Sequence, residues 1–295
     1  MRWADGFIAV DWGTTNRRAH RIDHAGACVS SIEDDLGVLS VPPGGFPAAA
    51  NDIRDKLGDL PLLMAGMVGS TRGWVEVPYV SCPADLDDLG PPLSWVEPGR
   101  AAIIPGLSIL TDARADVMRG EEVQMFGAVA AGLIPATCFI CHPGTHNKWV
   151  AVDNGKIVDF RTVMTGEMFD MLRKRGILAE MLTEEAKPDA AFREGAQRGL
   201  NASALTAELF SVRARVLLGD MPRASAASYV SGLLIGADLG VGLGLARQSD
   251  IIIMGRGELT RLYAAATAVA GCSAREIDGS TAFVAGAVAI ARMLD

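Results

Sequence analysis

The chain has 295 residues, 49% of them hydrophobic and 21% charged, and carries a formal net charge of -8. That length can bury substantial cores and favours two domains over one. The acidic balance, with no basic stripe, argues against a nucleic-acid or anionic-membrane surface, and it leaves any anionic substrate to be met by local cations or a metal.

In chain order, Phe7 to Trp12, Ala19 to Ile22 and Val29 to Ile32 read as an opening β-meander, with Asp23-His24-Ala25-Gly26 as a hairpin turn. Phe46 to Leu57 has helical spacing, and Leu62 to Val68 is a short apolar strand ending in Gly69-Ser70. Trp74 to Cys82 reads as an irregular excursion and Pro83 to Pro98 as loop, before short strands at Ala101 to Ile104 and Leu107 to Leu110. Asp112 to Asp116 marks the expected domain boundary, followed by a helix to about Leu133. Cys138 to His142, Trp149 to Val152 and Ile157 to Val163 repeat the opening meander, with Asp153-Asn154-Gly155 as a second hairpin turn. Helices are predicted over Met168 to Met181, Asp189 to Gly199, Ala204 to Leu218 and Tyr229 to Leu245. A buried-type strand, Asp250 to Met254, leads into a helix to about Ala270, and an apolar helix from Thr281 to Met293 closes the chain. The expected domains are 1–113, joined by the C-terminal helix 280–295, and 114–279.

Mean hydropathy is +0.25, so membrane insertion needs testing. The uncharged run Val123 to Cys141 is divided by Pro135 into a helix and a strand, and Gly232 to Ala246 is interrupted by Asp238. The N-terminus enters a strand pattern directly, without a signal-peptide pattern, so a cytoplasmic protein is expected. The five cysteines are scattered. Cys138 and Cys141 have CxxC spacing but lie in a strand, where residues three apart face opposite ways, so both are expected to be buried structural thiols. Gly240, Gly242 and Gly244 follow no strand and read as helix-packing glycines rather than a dinucleotide fingerprint.

The chemistry concentrates in a pattern that occurs twice. Asp11-Trp12-Gly13-Thr14-Thr15-Asn16-Arg17 and His142-Pro143-Gly144-Thr145-His146-Asn147-Lys148 each follow an apolar strand, and each pairs Gly-Thr-x-Asn with a cation. Such turns present backbone N–H groups and hydroxyls to a phosphate chain. Gly13, Thr14, Thr15 and Asn16 would hold one side of a polyphosphate, and Gly144, Thr145, His146, Asn147 and Lys148 the other. Asp11, at a strand end, suits a hydrated Mg²⁺, which takes few protein ligands. His146 reads as a donor or packing residue, since phosphoryl transfer needs positioning and neutralisation more than an imidazole. Gly255-Arg256-Gly257-Glu258 is a third glycine turn, where a base or ribose could lie against the backbone, and Gly255, Gly257 and Glu258 are its site candidates.

The segment Asp116 to Gln124 concentrates acid and base candidates, Asp116, Arg119 and Glu121 among them, and helical phase places Asp116 and Arg119 on the side of Val123, Phe126, Ala130 and Leu133. The same residues also fit a helix N-cap with acidic first-turn side chains. Arg72, Trp74, Glu76 and Tyr79 combine cation, aromatics and carboxylate in one loop, a mixture suited to a small polar ligand or to a partly exposed loop.

Two phosphate turns, a third glycine turn and two repeated halves resemble the sugar kinase/actin/heat-shock ATPase superfamily. More narrowly, Asp11 to Asn16, Ala65-Gly66-Met67-Val68-Gly69-Ser70, Gly73 to Glu76 with Pro78-Tyr79-Val80, Val117 to Glu122 and Pro143 to Lys148 resemble the 2-dehydro-3-deoxygalactonokinase family. The resemblance spans essentially the whole chain. It implies an α/β, two-domain actin-like ATPase fold, related to ribonuclease H, with duplicated β-meander-plus-helix halves and an interdomain nucleotide cleft. It further implies ATP-dependent phosphorylation of the 6-hydroxyl of 2-dehydro-3-deoxy-D-galactonate, with ATP and Mg²⁺ as cofactors, in galactonate catabolism. Carried over by position, Gly255 to Glu258 falls at the adenosine element. Arg17 and the order Ser70-Thr71-Arg72 depart from the family pattern. Asp116 by periodicity and Glu121 by resemblance to the acidic element of exopolyphosphatase-type relatives both stand as candidate base. The partner expected is a small sugar acid, with no nucleic acid and no membrane, and a homodimer is an assembly the reading allows. A kinase for a related sugar acid, a polyphosphate or NTP hydrolase, and a non-catalytic actin-like nucleotide-binding regulator are the alternatives.

Overall fold

The structure, a computed structural model, describes residues 3–246 and 250–294. Its internal contacts divide the chain into two units. The first takes in the described residues up to Thr137, Asp153–Asp159 and those from Gly279 on, and the second Cys138–Val152 and Phe160–Asp278.

In the first unit, β1 (Gly6–Trp12), β2 (Arg17–Asp23) and β3 (Cys28–Asp34) form the antiparallel meander. Helix α1 (Phe46–Leu57) follows, then β4 (Leu62–Gly66), parallel to β1. A two-residue strand β5 (Val80–Ser81) precedes β6 (Ser94–Glu97), β7 (Ala101–Ile103), β8 (Leu107–Leu110) and β9 (Ala115–Met118). Helix α2 (Glu121–Ala130) closes this stretch. The main sheet runs β3-β2-β1-β4-β7-β6, and β5-β8-β9 form a small second sheet. Because β1 is flanked on both edges, its residues are almost continuously buried, as a central strand requires. Helix α1 covers the sheet with Phe46, Ala50, Ile53 and Leu57, one stripe at helical spacing.

The second unit repeats the scheme. Strands β10 (Cys138–His142), β11 (Asn147–Asp153) and β12 (Lys156–Val163, whose residues from Phe160 on belong here) precede α3 (Thr165–Lys174), α4 (Ala190–Leu200), α5 (Leu205–Leu217) and α6 (Ala226–Leu245). Strand β13 (Asp250–Gly255), helix α7 (Gly257–Val269) and strand β14 (Ser273–Asp278) complete it. The sheet order is β12-β11-β10-β13-β14, with β10–β13 and β13–β14 parallel. That order matches β3-β2-β1-β4-β7 of the first unit strand for strand. The chain ends in α8 (Gly279–Ala291), which returns to the first unit and packs on α2. There Gly127 and Gly286 meet so closely that a Cβ on Gly286 would lie 2.0 Å from the carbonyl oxygen of Val123.

Several expectations change. Asp112 to Asp116 does not lead into a helix: Asp116 lies on β9 opposite Ile109, and α2 starts only at Glu121. The break is set by Gly120, whose φ of +107° is foreign to a helix. A strand, β6, occupies the expected loop, and β14 lies in a polar stretch that carried no strand pattern. Helix α3 begins at Thr165 and ends at Lys174, short of Met181. Gly242 packs under Trp149, leaving a Cβ only 2.3 Å from the indole. Gly195, Gly199, Gly232 and Gly236 let the α4 and α6 backbones touch, with Cβ positions 2.0 to 2.1 Å from carbonyl oxygens of the facing helix. The one described helical stretch long and apolar enough to cross a membrane, Arg223–Leu245, is 78% buried within the protein. Cys138 and Cys141 are buried free thiols.

Candidate active site

In the first unit the phosphate turn is shaped by its neighbours. The Gly13 N–H donates to the Asn16 carbonyl at 2.9 Å, while the carbonyls of Gly13, Thr14 and Thr15 accept from Val38, Leu39 and Gly37 at 3.0 to 3.2 Å. Gly37 is required here, because a Cβ would fall 2.4 Å from the Thr14 oxygen. The carbonyls of the turn are therefore drawn inward, and among the described residues no hydrogen bond engages the N–H of Thr14, Thr15 or Asn16, all three exposed. Successive unbonded amides in one turn are what an anion-binding nest requires.

Arg17 plays no part in that nest. It is 1% exposed and forms ion pairs with Asp34 at 2.7 Å and Asp52 at 2.9 Å, binding the meander to α1. The cation beside Asp11 is instead Arg18, 3.9 Å away.

Asp11, with its side chain 23% exposed, stands at a corner made by two glycines. A Cβ on Gly66 would lie 2.8 Å from the Trp12 carbonyl oxygen and 3.5 Å from Asp11 Oδ1. One on Gly120 would lie 3.0 Å from the Gly66 Cα and 4.0 Å from the same Asp11 oxygen. The start of α2 is thus brought against the end of β1. Glu121, the first residue of α2, has Oε2 accepting the Arg119 N–H at 3.0 Å. Asp116 lies back in the β8–β9 hairpin, with Oδ1 accepting the Val117 N–H at 2.9 Å. The helical phase that grouped Asp116 and Arg119 with the α2 stripe fails because Asp116 lies on a strand and the left-handed Gly120 separates Arg119 from the helix.

Sequence reasoning passed over Glu122. It is fully buried, both oxygens accept the Gly120 N–H at 2.7 and 2.8 Å, and burial beside Glu121 pushes its carboxyl up to about 8.

The 69–79 loop separates its candidates. Trp74 stacks on Phe46 at 6.1 Å and packs on the core while staying partly exposed. Arg72 and Glu76 are exposed. Tyr79 lies under the Arg119 guanidinium, 4.1 Å from centroid to Cζ.

In the second unit, α3 braces the other glycine–threonine turn. The Glu167 N–H donates to the Thr145 carbonyl at 2.9 Å, and the Glu167 carboxylate meets His146 Nε2 at 2.5 Å. Gly166 sits so close that a Cβ would be 2.5 Å from the Gly144 oxygen. Thr145 and His146 are exposed at the tip, whereas Lys148 is buried, with Nζ 3.4 Å from the His146 carbonyl.

Asn147 departs from its expected role as a phosphate ligand. Its side chain is buried, donating to Asp238 Oδ1 at 3.0 Å and accepting the Cys141 thiol at 3.4 Å. Asp238 also accepts from Trp149 Nε1 and Thr165 Oγ1, each at 2.6 Å, and from the Tyr263 hydroxyl. Burial pushes the Asp238 carboxyl above its usual range, against the pull of these donors, and burial next to Asp238 raises the Tyr263 phenol. A lone carboxylate in the apolar run of α6 was the sequence signal for this hub.

The third glycine turn ends β13. Arg256 pairs with Asp278 at 3.2 Å, and Glu258 with Arg261 at 3.1 Å. Glu258 also lines a pocket of about 280 Å³ with Thr165, Phe169, Ser231, Leu234 and Leu262. Only Glu258 of these was a sequence candidate; the others come from three helices whose meeting no local pattern encodes. For Mg²⁺, no group of three His, Cys, Asp or Glu side chains gathers among the described residues. A single accessible carboxylate, Asp11, beside a phosphate nest fits that ion, which keeps most of its waters.

Two sheets of one strand order, each with a glycine-threonine turn after its first strand, define the actin-like ATPase fold. Component A of the (R)-2-hydroxyglutaryl-CoA dehydratase of Acidaminococcus fermentans shares it, with a TM-score of 0.57 at 12% identity over 98% of both chains. The family profile of 2-keto-3-deoxy-galactonokinase matches residues 11–290, and the chain belongs to that family. It is 40% identical to the 2-dehydro-3-deoxygalactonokinase of Escherichia coli, over 97% of each chain. A crystal structure from Sinorhizobium meliloti assigned to the same enzyme superposes with a TM-score of 0.91 at 33% identity, covering 97% of this chain and 98% of that one.

Proposed function

We propose that this chain is an ATP-dependent sugar-acid kinase that transfers the γ-phosphoryl group to the 6-hydroxyl of 2-dehydro-3-deoxy-D-galactonate, in cytoplasmic galactonate catabolism. Family membership over residues 11–290 supports the reaction class. The observation that carries the chemistry is the exposed nest at Thr14, Thr15 and Asn16 beside the Asp11 carboxylate. In-line phosphoryl transfer depends on such positioning and neutralisation.

Asp11 would hold Mg²⁺, which supplies charge neutralisation on the transferring phosphates. Gly144, Thr145 and His146 would bind phosphate oxygens at the second turn, with Lys148 supporting the turn from beneath. The pocket beside Glu258, the last residue of the third glycine turn, suits adenosine, with Phe169 and Leu262 offering apolar faces to the base and Ser231 and Thr165 polar groups. Glu121 is the better-placed general base, because α2 starts against the Asp11 corner whereas Asp116 lies back in a hairpin. The acceptor would meet the 69–79 loop, where Arg72 and Glu76 are exposed to its hydroxyls.

The test is ADP release with Mg·ATP and a panel of 2-dehydro-3-deoxygalactonate, its gluconate epimer, neutral sugars and no acceptor. Turnover confined to the galactonate acid is expected, together with a raised Mg²⁺ requirement in Asp11→Asn. Equal ADP release without acceptor would mean a hydrolase.

A further inference from the structure

Arg119 is 9% exposed, and its guanidinium is incompletely partnered. Nη2 donates to the Val77 carbonyl at 2.7 Å, and the plane lies over the Tyr79 ring. Nε and Nη1 are both buried without a hydrogen-bond partner. No side chain among the described residues forms an ion pair with it. Of the acids beside it, Glu121 accepts from the Arg119 backbone N–H and not from the guanidinium, and burial pushes the Glu122 carboxyl up to about 8, which keeps it largely neutral near pH 7. Most buried arginines are balanced by a carboxylate, because a buried cation without an anion is costly. Elsewhere in the same unit Arg17 and Arg54 obey that rule with Asp34 and Glu97.

We infer that Arg119 is the anchor for the acceptor's carboxylate, its Nε and Nη1 hydrogens donating to the anion that the protein itself does not provide. The assignment rests on the sugar-acid kinase reading and deepens it. Three local features support it. Arg119 directly precedes Gly120 and Glu121, so an acid held here has its carboxylate end fixed at the helix that carries the base. Val77 and Tyr79 come from the loop that the sequence marked for a small polar ligand, and they hold the guanidinium flat. Gly69 brings the loop backbone close to Nη1: a Cβ there would stand 3.0 Å from that nitrogen and 3.0 Å from Ile103 Cγ2, so a side chain at 69 would crowd the donor. Both donors are closed off by the 69–79 loop, so entry of the acid requires that loop to shift. Arg72, exposed on the same loop, is then free of the carboxylate role that its charge suggested.

The experiment compares wild type, Arg119→Met and Arg119→Lys in the full chain. The readouts are KM for the acid, KM for ATP, and the rise in melting temperature that the acid alone produces. Arg119→Met is expected to melt no lower than wild type, to lose the acid-induced shift, and to raise KM for the acid on the order of 100-fold. KM for ATP should stay within about twofold, and discrimination between the acid and its carboxylate-reduced alcohol should collapse. Arg119→Lys keeps the charge without the planar fork and should show an intermediate KM for the acid. It carries the test if the Met variant does not fold. An unchanged KM for the acid, or equal losses for acid and ATP, overturns the assignment. Wild-type turnover separates the two claims: if the enzyme prefers a different sugar acid, the comparison is made with that acid, and an enzyme accepting only neutral sugars overturns both.

Discussion

Asn147 donates its side-chain amide to Asp238 at 3.0 Å, across 91 positions of sequence. Through that bond the second glycine–threonine turn is tied to α6, and through Thr165 and Tyr263 the same carboxylate ties in α3 and α7. Removing the acceptor strands several buried donors at once. Asp238→Ala is expected to destabilise the protein by about 3–5 kcal/mol, read from urea denaturation. A loss below about 1 kcal/mol would show that these donors find other acceptors.

Glu121 and Asp116 are separated by kinetics. Glu121→Gln should lower kcat at least 100-fold, on the order expected for losing a general base, and should flatten the acidic limb of the pH–rate profile. Asp116→Asn should change kcat less than about threefold. The reverse pattern would return the base to the β8–β9 hairpin.

Glu122 gives a pH signature of stability. Its carboxyl is pushed from an ordinary 4.5 to about 8 by burial and by Glu121. Between those values the folded chain keeps a proton that the unfolded chain releases. This contribution is therefore most favourable below about pH 4.5, falls by at most about 1.4 kcal/mol per pH unit as pH rises towards 8, and is level above that. Glu122→Gln should remove this slope. Parallel stability curves for the two proteins across pH 5 to 8 would contradict the protonated form.

The pocket beside Glu258 can be filled from α6. Ser231→Phe projects a ring into a space of about 280 Å³. KM for ATP is expected to rise at least tenfold while KM for the sugar acid changes little. An unchanged KM for ATP would place adenosine elsewhere.

Much of this was legible in the sequence because it is local. The strand–turn–strand patterns, the Asn154-Gly155 hairpin and helix α1 follow from spacing and turn residues alone. The start of α2 was misread because Asp116 to Glu122 contains no helix breaker except Gly120, and hydrophobic phase ran smoothly through it. Strand β14 was missed because its residues, Ser273 to Asp278, are mostly exposed at a sheet edge and so lack apolar alternation. Asn147 matched a motif by type, yet the type alone could not show that its amide turns inward to Asp238. The pocket and the unpaired donors of Arg119 are products of tertiary packing.

The contact of Gly127 with Gly286 also sets a timetable. Roughly 10–30 s of translation separates the two glycines at about 5–20 residues per second. Until α8 is made, α2 lacks the helix that packs against it, although the first glycine–threonine turn and its strands have long been synthesised. The second unit, by contrast, is finished before α8 begins. The pocket beside Glu258 can therefore form well before α2 is seated, and the first unit waits for the last helix to be made before its own packing is complete.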